Sequence, residues 1–201
     1  TFLKTSSIPI EINLSEEVDQ LINEGSSMMT FFGHASSDGF DQTIDNPNNY
    51  EWNGKYPFLL GNGCYTGDFH GPGSGSTSEI YTILPNKGVI GFLASTELGF
   101  ETSLNDYSRR FYRYLSTENY GGTVSDHIRK TVQEIQEEND PENLLVINTT
   151  LGMSLQGDPA VIVNSWPHPD LSVSEQDVFF TPLEITAETD SFTVNVVVTN
   201  L

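Results

Sequence analysis

The sequence contains 201 residues, which is enough for one domain of ordinary size or for one domain and part of another. Its 28 acidic and 8 basic residues give a formal net charge of -20, which argues against nucleic acid or anionic lipid as a partner, because both attract clustered Lys and Arg. No apolar run approaches the roughly 20 residues of a membrane-spanning helix, and an aromatic content of 11% favours a packed core over intrinsic disorder.

The first predicted elements are a short helix and three apolar strands. Ser15–Gly25 has the capping serine, the acidic first turn and the final glycine of a short helix. Three apolar runs follow, Met28–Phe32, Phe58–Leu60 and Val89–Ala94, and each ends at glycine or serine. Short apolar runs with such boundaries are typical of parallel strands that are covered on both faces.

Helical patterns lie between and after these strands. Ser76–Leu84, the apolar stripe over Leu104–Leu115 and the pattern over Val124–Ile135 predict three helices. Arg109 and Arg110 are predicted to be surface charges on the second of these, where one of them could face an acidic substrate. Strands that alternate with helices predict an α/β/α layer fold with a parallel sheet.

A last helix and strand are predicted before the composition changes. Asp140–Glu142 has the proline of a helix start, and Gly157–Pro159 marks its end. The apolar residues expected to face inward are Leu144, Leu145, Ile147, Leu151 and Leu155. Ala160–Val163 is predicted as a final short strand.

The composition changes at Trp166. Trp166–Asp170 is a Pro-rich linker, and Phe192–Val198 alternates apolar and polar residues as a half-exposed antiparallel strand of a β-sandwich does. About thirty residues cannot complete a sandwich of roughly 100 residues, so we expect the chain to stop inside a second domain. Because the sequence starts at Thr1 rather than Met and shows no signal peptide, we also expect it to be processed or cut from a longer chain.

The candidate chemistry lies at the ends of two strands. Cys64 is the only cysteine, which excludes an internal disulfide and a Cys-rich zinc site and leaves either a small buried side chain or a reactive thiol. His34 follows the first strand and Cys64 the second, and sites in open α/β sheets form beyond the carboxyl ends of strands. If these strands are neighbours, His34 can activate the thiol as a base. The flanking glycines would turn the backbone, and the N–H groups of Ala35 and Cys64 are candidates for an oxyanion hole.

Three short segments resemble the gingipain family of cysteine peptidases. They are Phe31–His34, Leu60–Phe69 and Gly157–Pro159. The family shares the caspase-like fold and a His…Cys dyad in this chain order, and the sortase of the type IX secretion system is a similar branch. The resemblance implies a caspase-like domain over residues 1–165 that lacks its N-terminal part, followed over residues 166–201 by a linker and the start of an immunoglobulin-like β domain.

The resemblance also implies roles for individual residues. Cys64 would be the nucleophile and His34 the general base and acid. The loop from Ser95 to Phe100 matches the loop that walls the primary specificity pocket, so Ser95, Thr96 and Phe100 are candidate substrate-binding residues. Ala35 departs from the glycine that usually follows the histidine, and the acid that orients the histidine would lie upstream, where nothing selects among Glu11, Glu16 and Glu17.

Metal sites are an open alternative. Asp38, Asp41 and Asp45 carry oxygen ligands suited to Ca²⁺, and gingipain relatives bind calcium, but without EF-hand spacing a solvated acidic loop is the favoured interpretation. His34, Cys64 and His70 could hold zinc, although no fourth ligand is evident. We expect no required cofactor and no catalytic metal, with structural Ca²⁺ left open.

The leading hypothesis is a secreted or cell-surface bacterial cysteine endopeptidase that acts on polypeptides through an acyl-enzyme. Its alternatives are a type IX secretion sortase, which would pass the acyl group to an amine, and a catalytically inactive peptidase-like adhesion or scaffold module. Secretion-system or cell-surface components are possible partners. A hydrolase that uses His34 with Ser36 is disfavoured because the sequence has no Gly-x-Ser-x-Gly motif.

Overall fold

The computed structural model describes residues 12–40, 44, 46–71, 75–140, 142–163, 171–182, 184–186 and 189–200. The helices are α1 (Ile12–Glu24), α2 (Thr77–Ile83), α3 (Glu101–Arg113), α4 (Val124–Glu138) and α5 (Leu144–Gly152), with a π-helical turn at Tyr114–Glu118. The strands are β1 (Met28–Phe32), β2 (Ala35–Ser36), β3 (Gly39–Phe40), β4 (Phe58–Asn62), β5 (Gly91–Ser95), β6 (Met153–Gly157), β7 (Leu171–Ser172), β8 (Val178–Thr181), β9 (Thr193–Val196) and β10 (Thr199–Asn200). Contacts divide the chain into two units, Thr1–Asn164 and Ser165–Leu201.

The first unit is built on a four-stranded sheet in the order β1-β4-β5-β6. β1, β4 and β5 are parallel, as the apolar runs predict, and β4 and β5 are buried along their whole length. β1 lies at an edge and is only partly covered. None of the described helices is both long enough and apolar enough to span a membrane.

Alternate residues of the central strands enter two separate cores. Leu59 and Phe92 pack on the side of α1 and α2, around Trp52 and Tyr81. Leu60 and Leu93 point to the opposite side and pack against residues of α3, α4 and α5. The two cores cover the two faces of one sheet, which is the α/β/α layering that the alternation of strands and helices predicts.

The last strand of the sheet differs from the prediction. The helix predicted to run to Leu155 ends at Gly152, and β6 pairs antiparallel with β5, with Met153 opposite Ser95. Because α5 ends beside the carboxyl end of β5, a strand that starts at the next residue can only run back along β5. The sheet is therefore mixed, with three parallel strands and one antiparallel strand that lies where the sequence predicted the end of a helix.

The segment predicted as a final strand, residues 160–163, forms turns instead. Carbonyl groups within and just before this segment accept hydrogen bonds from the start of α4: Val124 N donates to Val161 O at 2.9 Å, and Ser125 N donates to Pro159 O at 3.0 Å. The first N–H groups of a helix have no partner within the helix. These carbonyl groups therefore bond the free N–H groups of α4, and the segment does not extend the sheet.

Two helices differ from the predicted pattern in detail. α1 starts at Ile12, so Ser15 lies inside the helix rather than at its cap, which serine tolerates at small cost. α5 buries Val146, Thr149 and Thr150, whereas the predicted inward residues Leu144 and Leu151 are 78% and 75% exposed. The helix start predicted from Pro141 moves to Leu144, where the Asn143 side chain caps it. The face that α5 packs against the sheet is the one with Val146, Thr149 and Thr150, so Leu144 and Leu151 lie outside it.

Arg110 was predicted as a surface charge and is instead buried, with 8% of its side chain exposed. Its guanidinium group forms ion pairs with Asp106 at 2.9 Å, Glu134 at 2.7 Å and Glu138 at 2.7 Å. Three carboxylates from α3 and α4 therefore surround one cation, which joins the two helices and leaves Arg110 no role towards a substrate. Arg109 remains on the surface, as predicted.

The second unit is a small β structure. β8 pairs antiparallel with β9, and β7 pairs antiparallel with β10. β9 falls within the predicted antiparallel strand, and its Val194 and Val196 are about half exposed, at 51% and 52%. Within the described residues these strands pair only with one another. The immunoglobulin-like assignment and the boundary at residue 166 stay predictions.

Candidate active site

The carboxyl ends of β1, β4 and β5 lie at the same edge of the sheet, because the three strands are parallel neighbours. His34 comes two residues after β1, Cys64 comes two residues after β4, and the predicted pocket loop follows β5. The strand register aligns Phe32 with Asn62, and Gly33 N continues the ladder by donating to Asn62 O at 3.1 Å. The topology therefore brings together the three segments that carry the predicted site residues.

Gly63 is the point of closest approach between the histidine and cysteine segments. A Cβ atom at this position would lie 2.6 Å from the Ala35 Cβ and 3.2 Å from the Gly33 carbonyl oxygen. Real Cβ atoms do not approach other carbons so closely, so only glycine fits here. Since Gly33 and Ala35 flank His34, and Gly63 precedes Cys64, the backbones of the two candidate residues run directly past each other.

The turn after Cys64 is sharp and is tied to the loop after β5. Tyr65 has a left-handed backbone with φ of 57°, which is uncommon for a residue with a side chain and occurs often at functional sites. Tyr65 N donates to Glu97 O, and Gly67 N donates to Ser95 O, both at 2.9 Å. A Cβ at Gly67 would lie 2.8 Å from Ala94 O, so the turn also packs tightly on β5.

The Cys64 thiol is half-buried, and its hydrogen bonds are with Gly99. Gly99 N donates to Sγ at 3.4 Å, and the thiol can donate to Gly99 O at 3.8 Å. A backbone N–H directed at sulfur stabilises the thiolate, the form that acts as nucleophile. Among the described residues no hydrogen bond joins Cys64 to His34, so the dyad itself stays a prediction.

His34 is exposed and lines an open cleft with the β2–β3 hairpin, whose Ala35, Asp38 and Phe40 face the same space. Phe40 is buried and packs on Phe31, with ring centroids 4.3 Å apart, which anchors the hairpin on the sheet. Ala35, the candidate oxyanion-hole residue, is the first residue of β2 and opposes Phe40 across the hairpin. The imidazole therefore faces solvent from a firmly held backbone.

The candidate substrate-binding residues lie at the end of β5 and in the loop that follows it, in different environments. The buried Ser95 hydroxyl donates to Glu97 O at 3.0 Å and accepts from Glu97 N at 3.2 Å. The Thr96 hydroxyl donates to Gly152 O at 3.1 Å. These two side chains hold the shape of the loop, whereas Phe100 is 41% exposed beside α3 and is the one of the three available for substrate contact. Their roles in binding stay predictions.

The calcium and zinc alternatives stay predictions. Asp41 and Asp45 of the calcium alternative lie outside the described residues, and Asp38 is exposed in the cleft. In the described part of the chain, no group of three or more His, Cys, Asp or Glu side chains could hold a metal ion. The His70 ring contacts the Phe69 ring, with centroids 4.1 Å apart, which accounts for its position without zinc.

Sequence reasoning did not find two contributors to the site, Gly99 and Asn148. The Asn148 side chain on α5 donates from Nδ2 to Leu98 O at 2.8 Å, in the loop that contacts the thiol. Gly99 could have been suspected from its place in the predicted pocket loop. The contact of Asn148 spans 50 residues and depends on the direction of α5, which no local pattern shows.

Comparison with known proteins agrees with this geometry. The profile of peptidase family C25 matches residues 4–164. The crystal structure of the Arg-specific cysteine proteinase gingipain R is similar, with a TM-score of 0.65 and 16% identity over 79% of this chain and 38% of that chain. The complex of pro- and mature domains of Porphyromonas gingivalis RgpB has a TM-score of 0.66 and 15% identity, over 79% of this chain and 39% of that chain. A third structure, described as a protease, has a TM-score of 0.62 and 14% identity, over 79% of this chain and 42% of that chain.

These matches establish the family and the fold. No curated protein sequence matches at a comparable level. The chain spans about two fifths of the length of the similar structures. The predicted caspase-like α/β fold is confirmed, with its sheet corrected to three parallel strands and one antiparallel strand. Since the family profile covers four fifths of the sequence, the chain belongs to peptidase family C25, the gingipain family of cysteine peptidases.

Proposed function

We propose that this chain carries the nucleophile and the general base of a cysteine endopeptidase, namely Cys64 and His34. The observation that supports this most strongly is the close approach at Gly63, where the backbones that carry the two residues pass with no room for a Cβ. A second support is the N–H of Gly99 directed at the Cys64 sulfur. A buried structural cysteine requires neither feature.

In the proposed mechanism the Cys64 thiolate attacks the carbonyl carbon of a peptide bond. A C–S bond forms, and the carbonyl oxygen takes the negative charge, which the N–H groups of Ala35 and Cys64 would stabilise. His34, having taken the thiol proton, returns it to the nitrogen of the leaving amine as the C–N bond breaks. Water then attacks the acyl-enzyme, with His34 as base, and releases the carboxylic acid and the thiol.

Hydrolysis is favoured over sortase-type transfer by the exposure of His34. Among the described residues its imidazole lies in an open cleft, so water can approach it and act as the acyl acceptor in the proposed reaction. An inactive adhesion module is disfavoured, because both reactive side chains are present at adjacent strand ends. A polypeptide substrate follows from this proposal. We further propose secretion to the cell surface, with secretion-system components as possible partners, and the acidic net charge of -20 suits a protein that stays soluble outside the cell.

Hydrolysis of a library of quenched fluorescent peptides by the full chain tests the proposal. We expect Cys64→Ala and His34→Ala each to lower kcat/KM by at least about 10³-fold, as loss of a member of a catalytic unit does. Ser36→Ala is the matched control, since Ser36 lines the same cleft and takes no part in the proposed reaction. Full activity of Cys64→Ala, or loss of activity in Ser36→Ala alone, would refute the assignment.

A further inference from the structure

A single peptide group connects the candidate nucleophile to helix α5. The carbonyl oxygen of Leu98 accepts a hydrogen bond from Asn148 Nδ2 at 2.8 Å, and the N–H of Gly99 donates to Cys64 Sγ at 3.4 Å. The Leu98 carbonyl and the Gly99 N–H belong to the same peptide bond. The three groups therefore form one chain of hydrogen bonds, from the Asn148 amide through the backbone to the thiol.

We propose that Asn148 is a positioning residue, which orients the Leu98–Gly99 peptide so that its N–H stabilises the Cys64 thiolate. This inference rests on the proposed function of Cys64. The peptide group is planar, so a hydrogen bond that fixes the direction of its carbonyl also fixes the direction of its N–H. A carbonyl that accepts a hydrogen bond also polarises its own amide, which strengthens the N–H as a donor.

The residues on either side of the Leu98–Gly99 peptide are held by contacts with the rest of the protein. Thr96 N is held by Gly152 O at 2.9 Å, and Glu97 O is held by Tyr65 N at 2.9 Å. On the other side, a Cβ at Gly99 would lie 2.5 Å from Leu104 Cδ1, so the loop packs directly on α3. Between these anchors, the Leu98–Gly99 peptide accepts a hydrogen bond from Asn148 through its carbonyl and donates one to Cys64 through its N–H.

Of the two hydrogen bonds of the Cys64 sulfur, the shorter is the one in which the sulfur accepts. The neutral thiol can donate to Gly99 O, but that distance is 3.8 Å, whereas the donor N–H is nearer at 3.4 Å. Hydrogen bonds to a charged partner are roughly twice as strong as bonds between neutral groups. The N–H of Gly99 is therefore worth more once the proton has left for His34, and Asn148 maintains that donor in place.

The test is the alkylation rate of Cys64 by iodoacetamide against pH, measured on the full chain and followed by mass spectrometry. We expect Asn148→Leu, which keeps the size of the side chain and removes its donor, to move the midpoint of the profile to higher pH. Labelling at pH 7 should slow about two- to tenfold, since the variant weakens a charge-assisted bond without removing it. Asn148→Asp, which has no N–H to donate, should behave like Asn148→Leu, and Asn148→Gln should recover part of the rate.

Asn143→Leu is the matched control on the same helix. The Asn143 side chain caps α5 by accepting from Leu145 N at 3.0 Å, and within the described residues it forms no hydrogen bond with the loop. The Asn143→Leu variant should lower the melting temperature without moving the midpoint of the alkylation profile. A profile of Asn148→Leu that coincides with wild type, or an equal shift in Asn143→Leu, would overturn the inference while leaving the proposed function intact. Slow wild-type labelling that does not depend on His34 would instead overturn the proposed function, and with it any role for Asn148.

Discussion

Adding one methyl group at Gly63 should separate the two halves of the candidate active site. The new Cβ would lie 2.6 Å from the Ala35 Cβ, whereas carbon atoms pack at about 3.5–4.0 Å, so the segments must move apart by about 1 Å. Overpacking of this kind costs about 1–3 kcal/mol of stability, but a displacement of about 1 Å between reacting groups costs about 10²-fold in rate. We therefore expect Gly63→Ala to stay folded and to lose about 100-fold in kcat/KM.

Peptide hydrolysis and thermal unfolding, measured on the same samples, separate these two effects. Ala35→Gly removes the atom that the new Cβ meets first, and the next contact is then the Gly33 carbonyl oxygen at 3.2 Å. The double variant Gly63→Ala/Ala35→Gly should therefore recover a large part of the lost activity. Gly71→Ala serves as the control, since its nearest neighbour would be Asp68 Oδ2 at 3.5 Å. Wild-type activity in Gly63→Ala, or no recovery in a stable double variant, would show that the close approach does not position the site.

Two predictions concern the helices that support the sheet. Arg110→Met should lower the free energy of unfolding in urea by about 2–3 kcal/mol, because it removes the buried cation shared by Asp106, Glu134 and Glu138. The loss is limited because Asp106 keeps Arg109, Glu134 keeps Arg113, and Glu138 is exposed to solvent. Arg109→Met, at an exposed side chain, should change the free energy of unfolding by less than about 0.5 kcal/mol, and equal effects would contradict the burial of Arg110. Burial lowers the pKa of His127, although a backbone hydrogen bond with Gly122 and the charge of Asp126 act in the opposite direction. Below about pH 6.5 the unfolded chain therefore binds a proton at this histidine more readily than the folded chain does, which lowers the stability of the folded state. The free energy of unfolding in urea should then fall from pH 7.5 to pH 5.5 in wild type and fall less in His127→Phe, which keeps an aromatic ring against Phe111. The same dependence of this free energy on pH in both proteins would contradict this account.

The central strands and the placement of the candidate site could be predicted from the sequence, because the relevant information is local. The apolar runs that end at Gly33 and Gly61 show where β1 and β4 stop, and parallel strands necessarily end at the same edge of a sheet. Residues that follow such strands therefore come together whatever the rest of the chain does. The motifs around His34 and Cys64 added the family, which the profile match confirms.

The features that escaped prediction depend on contacts between distant segments. Arg110 lies three residues after Tyr107, on the side of the apolar stripe of α3, but its charge predicted exposure, and only the carboxylates that α4 brings to it explain its burial. The direction of β6 follows from where α5 ends, beside Ser95, and not from the composition of residues 153–157. The contact of Asn148 with Leu98 follows from the same placement of α5. None of these positions carries a pattern that the sequence alone could show.

The most direct test of the account is whether His34 activates Cys64. The measurement is the iodoacetamide labelling rate of Cys64 against pH, in the full chain, for wild type and His34→Ala. We predict fast wild-type labelling with a midpoint well below the value of about 8.5 of an ordinary thiol, and a slower, upward-shifted profile in His34→Ala. Slow labelling with an ordinary midpoint, the same in both proteins, would contradict the dyad and would leave the chain a peptidase-like binding module.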